Sequence, residues 1–289
     1  MHTDAFSKCH PLVNFLFFLG AIGFGVVIQH PAYILAGFLG GLMYYLCLRG
    51  RGGVKSTLLL LPVFLFITCI NPLFNHEGSH ILFYAFGNPY TLEAICYGMA
   101  VAGIFLVMMV WFFCYNLVLT SDKFVCLFGR LIPALSMVLV MVLRLIPNLL
   151  RKAAQLAAAR RSIGRGAGEG STAKEKLRDG MQILSALTDW ALEGGIITSD
   201  SMRARGYGSA RRTNFHLYTF TVRDAAVLVL LAALAVLTLM LGSFDAGYTP
   251  ELVIEPAGPG LFFYSLFLLV PTILHWKEVL QWHICLSKI

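Results

Sequence analysis

The chain has 289 residues, 58% of them apolar and only 13% charged, with a formal charge of +7. Soluble globular chains hold about 45–50% apolar and about 25% charged residues, so disorder, a coiled coil and an ordinary cytosolic enzyme are excluded. The composition is that of an integral membrane protein, and its basic excess reads as cytoplasmic loops rich in Lys and Arg rather than as a nucleic-acid surface.

A helix needs about 20 mostly apolar residues to cross about 30 Å of hydrocarbon. From Cys9 to Leu48 there is no Asp, Glu, Lys or Arg, and His30-Pro31 divides this stretch into spans over roughly 12–29 and 32–48. Lys8 followed by an apolar run, without a small-residue cleavage site, reads as a retained first span rather than a signal peptide. Four more spans are expected over 56–76, 94–121, 225–244 and 256–276, six in all. With the N-terminus inside, all 22 Lys and Arg fall on the inner side. The outer segments 71–93 and 245–259 then hold none, but carry Glu77, Glu93, Asp245, Glu251 and Glu255. The positive-inside bias selects this orientation, which places a multi-pass chain in the cell membrane with both termini cytoplasmic. The seven cysteines form no CxxC pair and lie mostly in apolar runs, as small buried hydrophobes do.

The expected fold class is therefore an all-α polytopic membrane protein, with about six transmembrane helices and long amphipathic cytoplasmic helices. Three regions follow: an N-terminal bundle over 1–122, a cytoplasmic or interfacial region over 123–224, and a C-terminal two-span segment over 225–289. Residues 120–224 hold sixteen basic and eight acidic residues, so the whole basic excess sits there. The apolar run Leu131 to Leu143 is flanked by Arg130 and by Arg144, Arg151 and Lys152. It reads as an amphipathic helix at the inner leaflet, bent near Pro133 and Pro147, with a tilted extra span as the alternative. A helical stretch from Leu149 to Arg161 and a second from about Lys174 to Arg205 flank a glycine-rich break, Gly164 to Thr172. In the second stretch Leu177, Met181, Leu184, Leu187 and Ala191 recur at helical spacing.

Two motifs mislead. The glycine-rich break resembles a phosphate loop but lacks the G-x-x-x-x-G-K-[ST] order and any strand leading into it, so no nucleotide site is assigned to this chain. His76-Glu77-Gly78-Ser79-His80 fits H-E-x-x-H, in which two His a helical turn apart hold zinc and the Glu acts as general base. Here it follows Asn71-Pro72, carries a central Gly and lies in an outer loop, with no further ligand in view beyond Glu93. A zinc metallopeptidase is the alternative this motif keeps open. A self-contained secondary transporter is disfavoured, because the assigned spans hold essentially none of the charged residues that mark ion or substrate paths.

The segment Ser201-Met202-Arg203-Ala204-Arg205-Gly206-Tyr207-Gly208 is more informative. A headgroup-gripping juxtamembrane stretch explains the later Arg211, Arg212 and Arg223. An arginine between Ala204 and Gly206 is instead unobstructed, with a planar fork that pairs bidentately with a carboxylate, and suits docking in a groove of another protein. Ala204-Arg205-Gly206 resembles one of the two X-Arg-X coupling motifs of energy-coupling factor (ECF) transporter T components, the EcfT/CbiQ type. Asn71-Pro72-Leu73-Phe74 with Gly78 resembles that family's outer-loop motif, and Arg144-Leu145-Ile146-Pro147 its entry to the first coupling helix. The run Trp190-Ala191-Leu192-Glu193 through Ser201-Met202 resembles the approach to the second motif. Where the family's first motif reads Ala-Arg-Gly, this chain has Ala159-Arg160-Arg161-Ser162, so either arginine is the candidate there.

The resemblance implies a non-catalytic subunit that binds no cofactor itself. Two cytoplasmic ABC-type ATPases using ATP and magnesium dock on the two arginine motifs, and a substrate-binding S component sits beside the chain in the bilayer. Vitamins and transition-metal ions are the expected cargo, with no nucleic-acid partner.

Overall fold

The computed structural model describes residues 5–75, 80–85, 88–129, 133–164, 166, 172–209, 218–248 and 252–286. The first two helices start alike. In α1 (Pro11–Val27) the cap is His10, and in α2 (Pro31–Arg49) it is His30. Each imidazole Nδ1 accepts the N–H two residues on, at 3.2 Å in both cases. Each is followed by a proline, whose missing N–H is no loss at the first helical position. Gly50, in the left-handed region at φ +60°, turns the chain into α3 (Arg51–Leu58), and a break at Leu59 leads to α4 (Leu60–Phe74). Asn71-Pro72-Leu73-Phe74 is thus the last turn of α4, within the third expected span although its likeness is to an outer-loop motif, and the Cβ of Asn71 lies against Gly98 of the next helix.

A short antiparallel hairpin, β1 (Ile81–Ala85) and β2 (Asn88–Thr91), runs into α5 (Leu92–Val118), capped by the Thr91 hydroxyl accepting from the Ala94 N–H. The short α6 (Ser121–Gly129) follows. Then come two long helices, α7 (Pro133–Ser162) and α8 (Ala173–Ala204), the second opened by a Thr172/Glu175 capping box. A Thr221/Asp224 capping box opens α9 (Val222–Leu241). A two-residue-per-strand hairpin, β3 (Ala246–Gly247) and β4 (Val253–Ile254), leads to α10 (Gly260–Leu286). The hairpins depart from a purely helical expectation, since the connections between α4 and α5 and between α9 and α10 pair their backbones locally.

The chain forms two compact units, one of residues 1–124 with 218–289 and one of residues 125–217. In the first, α5 packs against α1, α2 and α4, and α10 against α2 and α9. An aromatic cluster fills the centre: Phe17 meets Trp111 at 5.5 Å and Phe267 at 5.3 Å between ring centroids. Gly37 and Gly41 let α2 approach α5 closely, as small residues do between membrane helices, and the Trp111 indole N–H donates to the Gly37 carbonyl at 3.1 Å.

Among the described residues five helices are long and apolar enough to cross a bilayer: Pro31–Arg49, Gly52–Phe74, Leu92–Val118, Val222–Leu241 and Gly260–Gln281. Gly52–Phe74 joins most of α3 to α4 and carries one charge, Lys55, near its start; its most apolar 18-residue window is only 11% buried. An apolar helix left open on this scale belongs in lipid rather than water. The first expected span is α1, whose 17 residues reach about 25 Å at 1.5 Å per residue. The run 131–143, expected as a helix bent near Pro133 and Pro147, is described from Pro133 on, and residues 133–143 belong with 149–161 to the single 30-residue helix α7, which continues through Pro147.

Candidate coupling site

The second unit is a helical hairpin. Half-buried positions recur on α7 at Leu149, Ala153, Leu156 and Arg160, and on α8 at Asp179, Ile183, Leu187 and Trp190, with heptad-like spacing. A pair of helices has no interior, and no residue of α8 is fully buried. The stripe expected from the sequence is only partly the packed one. Leu187 and Ala191 are half-covered, whereas Leu177, Met181 and Leu184 remain exposed.

Three cross-links set the hairpin antiparallel. Near the end of α7 the Arg160 guanidinium donates to Asp179 at 2.5 Å and also to the Gln182 side-chain oxygen. In the middle the Lys152 ammonium lies over the Trp190 ring, 5.7 Å from its centroid. At the other end the Tyr207 hydroxyl donates to the Met137 sulfur at 3.0 Å.

The sequence left two arginines open at the first motif, and they now differ. Arg160 is half-buried and engaged by α8, while Arg161 is exposed. Ala159 and Ser162 are exposed beside it, and Ser162 bonds back to the Ala158 carbonyl at 3.1 Å. Gly164, three residues on, takes φ +70° and donates its N–H to the Arg161 carbonyl at 3.0 Å.

At the second motif Ala204 is the last residue of α8 and Arg205 is its exposed C-cap. Gly206 follows at φ +78°, in the left-handed region that L side chains avoid. Its N–H donates to the Arg203 carbonyl at 2.9 Å, and the Tyr207 N–H to the Met202 carbonyl at 3.0 Å. These paired bonds are the Schellman closure, which satisfies the orphan carbonyls of a helix end. The glycine after Arg205 therefore ends the helix at the arginine. Arg161 and Arg205 are not brought together. Antiparallel pairing sets them at opposite ends of the hairpin, and the 24 residues from Met137 to Arg161 rise about 36 Å along α7.

Of the zinc-like motif, His76 to Ser79 lie outside the described residues. The exposed His80 Nδ1 pairs with Glu93 at 2.9 Å, and the His80 N–H also meets that carboxylate. Glu93, buried in the first turn of α5, thus serves its own helix start and the His80 backbone. Among the described residues no three of His, Cys, Asp or Glu converge on one point. Residues 167–171 of the glycine-rich break, and Arg211, Arg212 and Thr213, also lie outside the described residues.

Reading the sequence missed the Arg160–Asp179 pair and two buried charges, Lys123 and Asp224. The Thr221-x-x-Asp224 spacing was the available signal for the latter, since it is a helix-opening pattern. Fold and site together define a polytopic, largely helical membrane protein with a separate long helical hairpin. No protein-family model and no curated protein matches the chain.

Proposed function

We propose that the chain is the transmembrane coupling subunit, or T component, of an ECF-type importer in the cell membrane. On this reading α1 joins the five longer helices as a sixth span, both termini are cytoplasmic, and the hairpin lies on the cytoplasmic side. Two ABC-type ATPases dock on it, one at Arg161 and one at Arg205. Their ATP-driven closure moves α7 and α8, and the movement tips a substrate-binding S component that releases a vitamin or transition-metal ion inside. This chain supplies no catalytic group; its part is to hold, orient and transmit.

One observation carries the reading: two exposed arginines, each closely followed by a left-handed glycine, stand at opposite ends of one helical hairpin. Two ends far apart suit two motor subunits better than one ligand. The guanidinium fork offers each a bidentate partner for a carboxylate. The test is Arg205→Glu in the complex assembled in membranes. One ATPase copy is expected to be lost on purification and uptake to fall while the chain still inserts. Breaking one side of a buried ion pair costs about 3–5 kcal/mol, enough to weaken docking by roughly two to nearly four orders of magnitude. Wild-type ATPase retention together with wild-type uptake would refute the assignment.

A further inference from the structure

The hairpin unit leaves the bundle after Phe124 and rejoins it at Tyr218. Each crossing carries a buried charge: Lys123 and Asp224 are both only 4% exposed. Charges are placed out of water only where polar partners compensate them. The Lys123 ammonium donates to the Ser7 carbonyl at 2.5 Å, to the Ser7 hydroxyl at 2.9 Å and to the Val118 carbonyl at 2.8 Å. It thereby also neutralises the C-terminal end of α5. The Asp224 carboxylate accepts the His10 N–H at 3.0 Å with one oxygen, and the Thr221 N–H at 2.9 Å and hydroxyl at 2.7 Å with the other.

Both charges therefore reach the same few residues ahead of α1. That segment is itself anchored. Phe6 is fully buried and meets Phe17 edge-on at 5.2 Å, Cys9 is buried, and Lys8 pairs with Glu278 of α10 at 2.5 Å. The His10 ring lies edge-on to Phe220 at 5.4 Å, beside the second crossing.

We infer that Ser7 to His10 form a clasp that fixes both chain crossings at once, with Lys123 and Asp224 as its two positioning residues. The segment links residues more than 100 positions apart, so loosening one crossing loosens the other. Resting on the coupling reading, the clasp is what gives the hairpin a stationary root, so that motor movement bends α7 and α8 rather than dragging the chain at its base.

The experiment is hydrogen exchange, resolved to single amides, on the full chain in lipid nanodiscs. Lys123→Met keeps the unbranched stem, one heavy atom shorter, and removes the charge; Asp224→Asn keeps its shape. Each is expected to raise exchange about tenfold or more at both crossings, residues 119–124 and 218–224, because cooperative units open together. If each substitution loosens only its own crossing, or neither, the clasp is refuted. Should a variant not fold, the wild-type protein decides: the Leu119 and Phe124 amides of one crossing and the His10, Thr221 and Asp224 amides of the other are to exchange within about threefold of one another, and a spread beyond about tenfold overturns the inference. These readouts use no ATPase, so they stand or fall separately from the coupling proposal.

Discussion

Gly206→Ala tests whether the helix end that presents Arg205 is built by the glycine. Gly206 sits at φ +78°, and an L side chain in the left-handed region costs about 1–2 kcal/mol. A Cβ there would meet only the Ser209 hydroxyl, at 3.1 Å, a side chain able to swing away. Steric overlap is therefore minor and the backbone strain is the main cost. Two amides report it, those of Gly206 and Tyr207, whose bonds to the Arg203 and Met202 carbonyls close the helix. Opening of that turn is expected to become about 5- to 30-fold more frequent, the range that 1–2 kcal/mol implies. Hydrogen exchange of the purified chain measures it, with the α8 capping box at Thr172 and Glu175 as an internal reference that stays unchanged. Gly206→Asn is expected to recover much of the loss, because Asn tolerates this conformation better than other side chains. On the proposed coupling function, ATPase retention in the assembled complex is expected to fall with the same ordering. Unaltered exchange at Gly206 and Tyr207 in the alanine variant would refute the argument that strain at this residue shapes the motif.

The two neighbouring arginines of the first motif should separate by readout. Arg160→Ala leaves Asp179 without its guanidinium and is expected to destabilise the hairpin by about 1.5–3 kcal/mol, the range for hydrogen bonds to charged groups, seen as earlier unfolding in a denaturant titration. Arg161→Ala, at an exposed position, should shift stability by less than about 0.5 kcal/mol while lowering ATPase retention; the opposite pattern would reverse their roles. In the bundle, Gly41→Leu places a Cβ 3.0 Å from Val110 and 3.1 Å from the Trp111 indole nitrogen, and overpacking of this kind costs about 1–3 kcal/mol. A lower Tm in detergent is expected, whereas Gly23→Leu, whose Cβ would meet nothing within 4 Å, leaves Tm unchanged.

Much of the fold was legible in the sequence because a bilayer is a one-dimensional constraint. Hydrocarbon thickness fixes how long an apolar run must be, and most such runs became helices near the expected places. His30-Pro31 reads as the divide between two spans, and it caps α2 within one turn; the His10 cap and the left-handed Gly206 are equally local but went unread. The candidate site was legible as two arginine motifs and no further. Telling the half-buried Arg160 from the exposed Arg161 needed Asp179, which lies nineteen residues away across the glycine-rich break. The exposure of Leu177, Met181 and Leu184 could not be read from their spacing, because a helical period shows that a stripe exists and not which partner covers it. His10 and Asp224 stand 214 positions apart, and Ser7 and Lys123 stand 116 apart. Local propensity determined where helices begin and end; only three-dimensional packing decided which charges they bury, since a charge leaves water where a partner from a distant part of the chain is already in place.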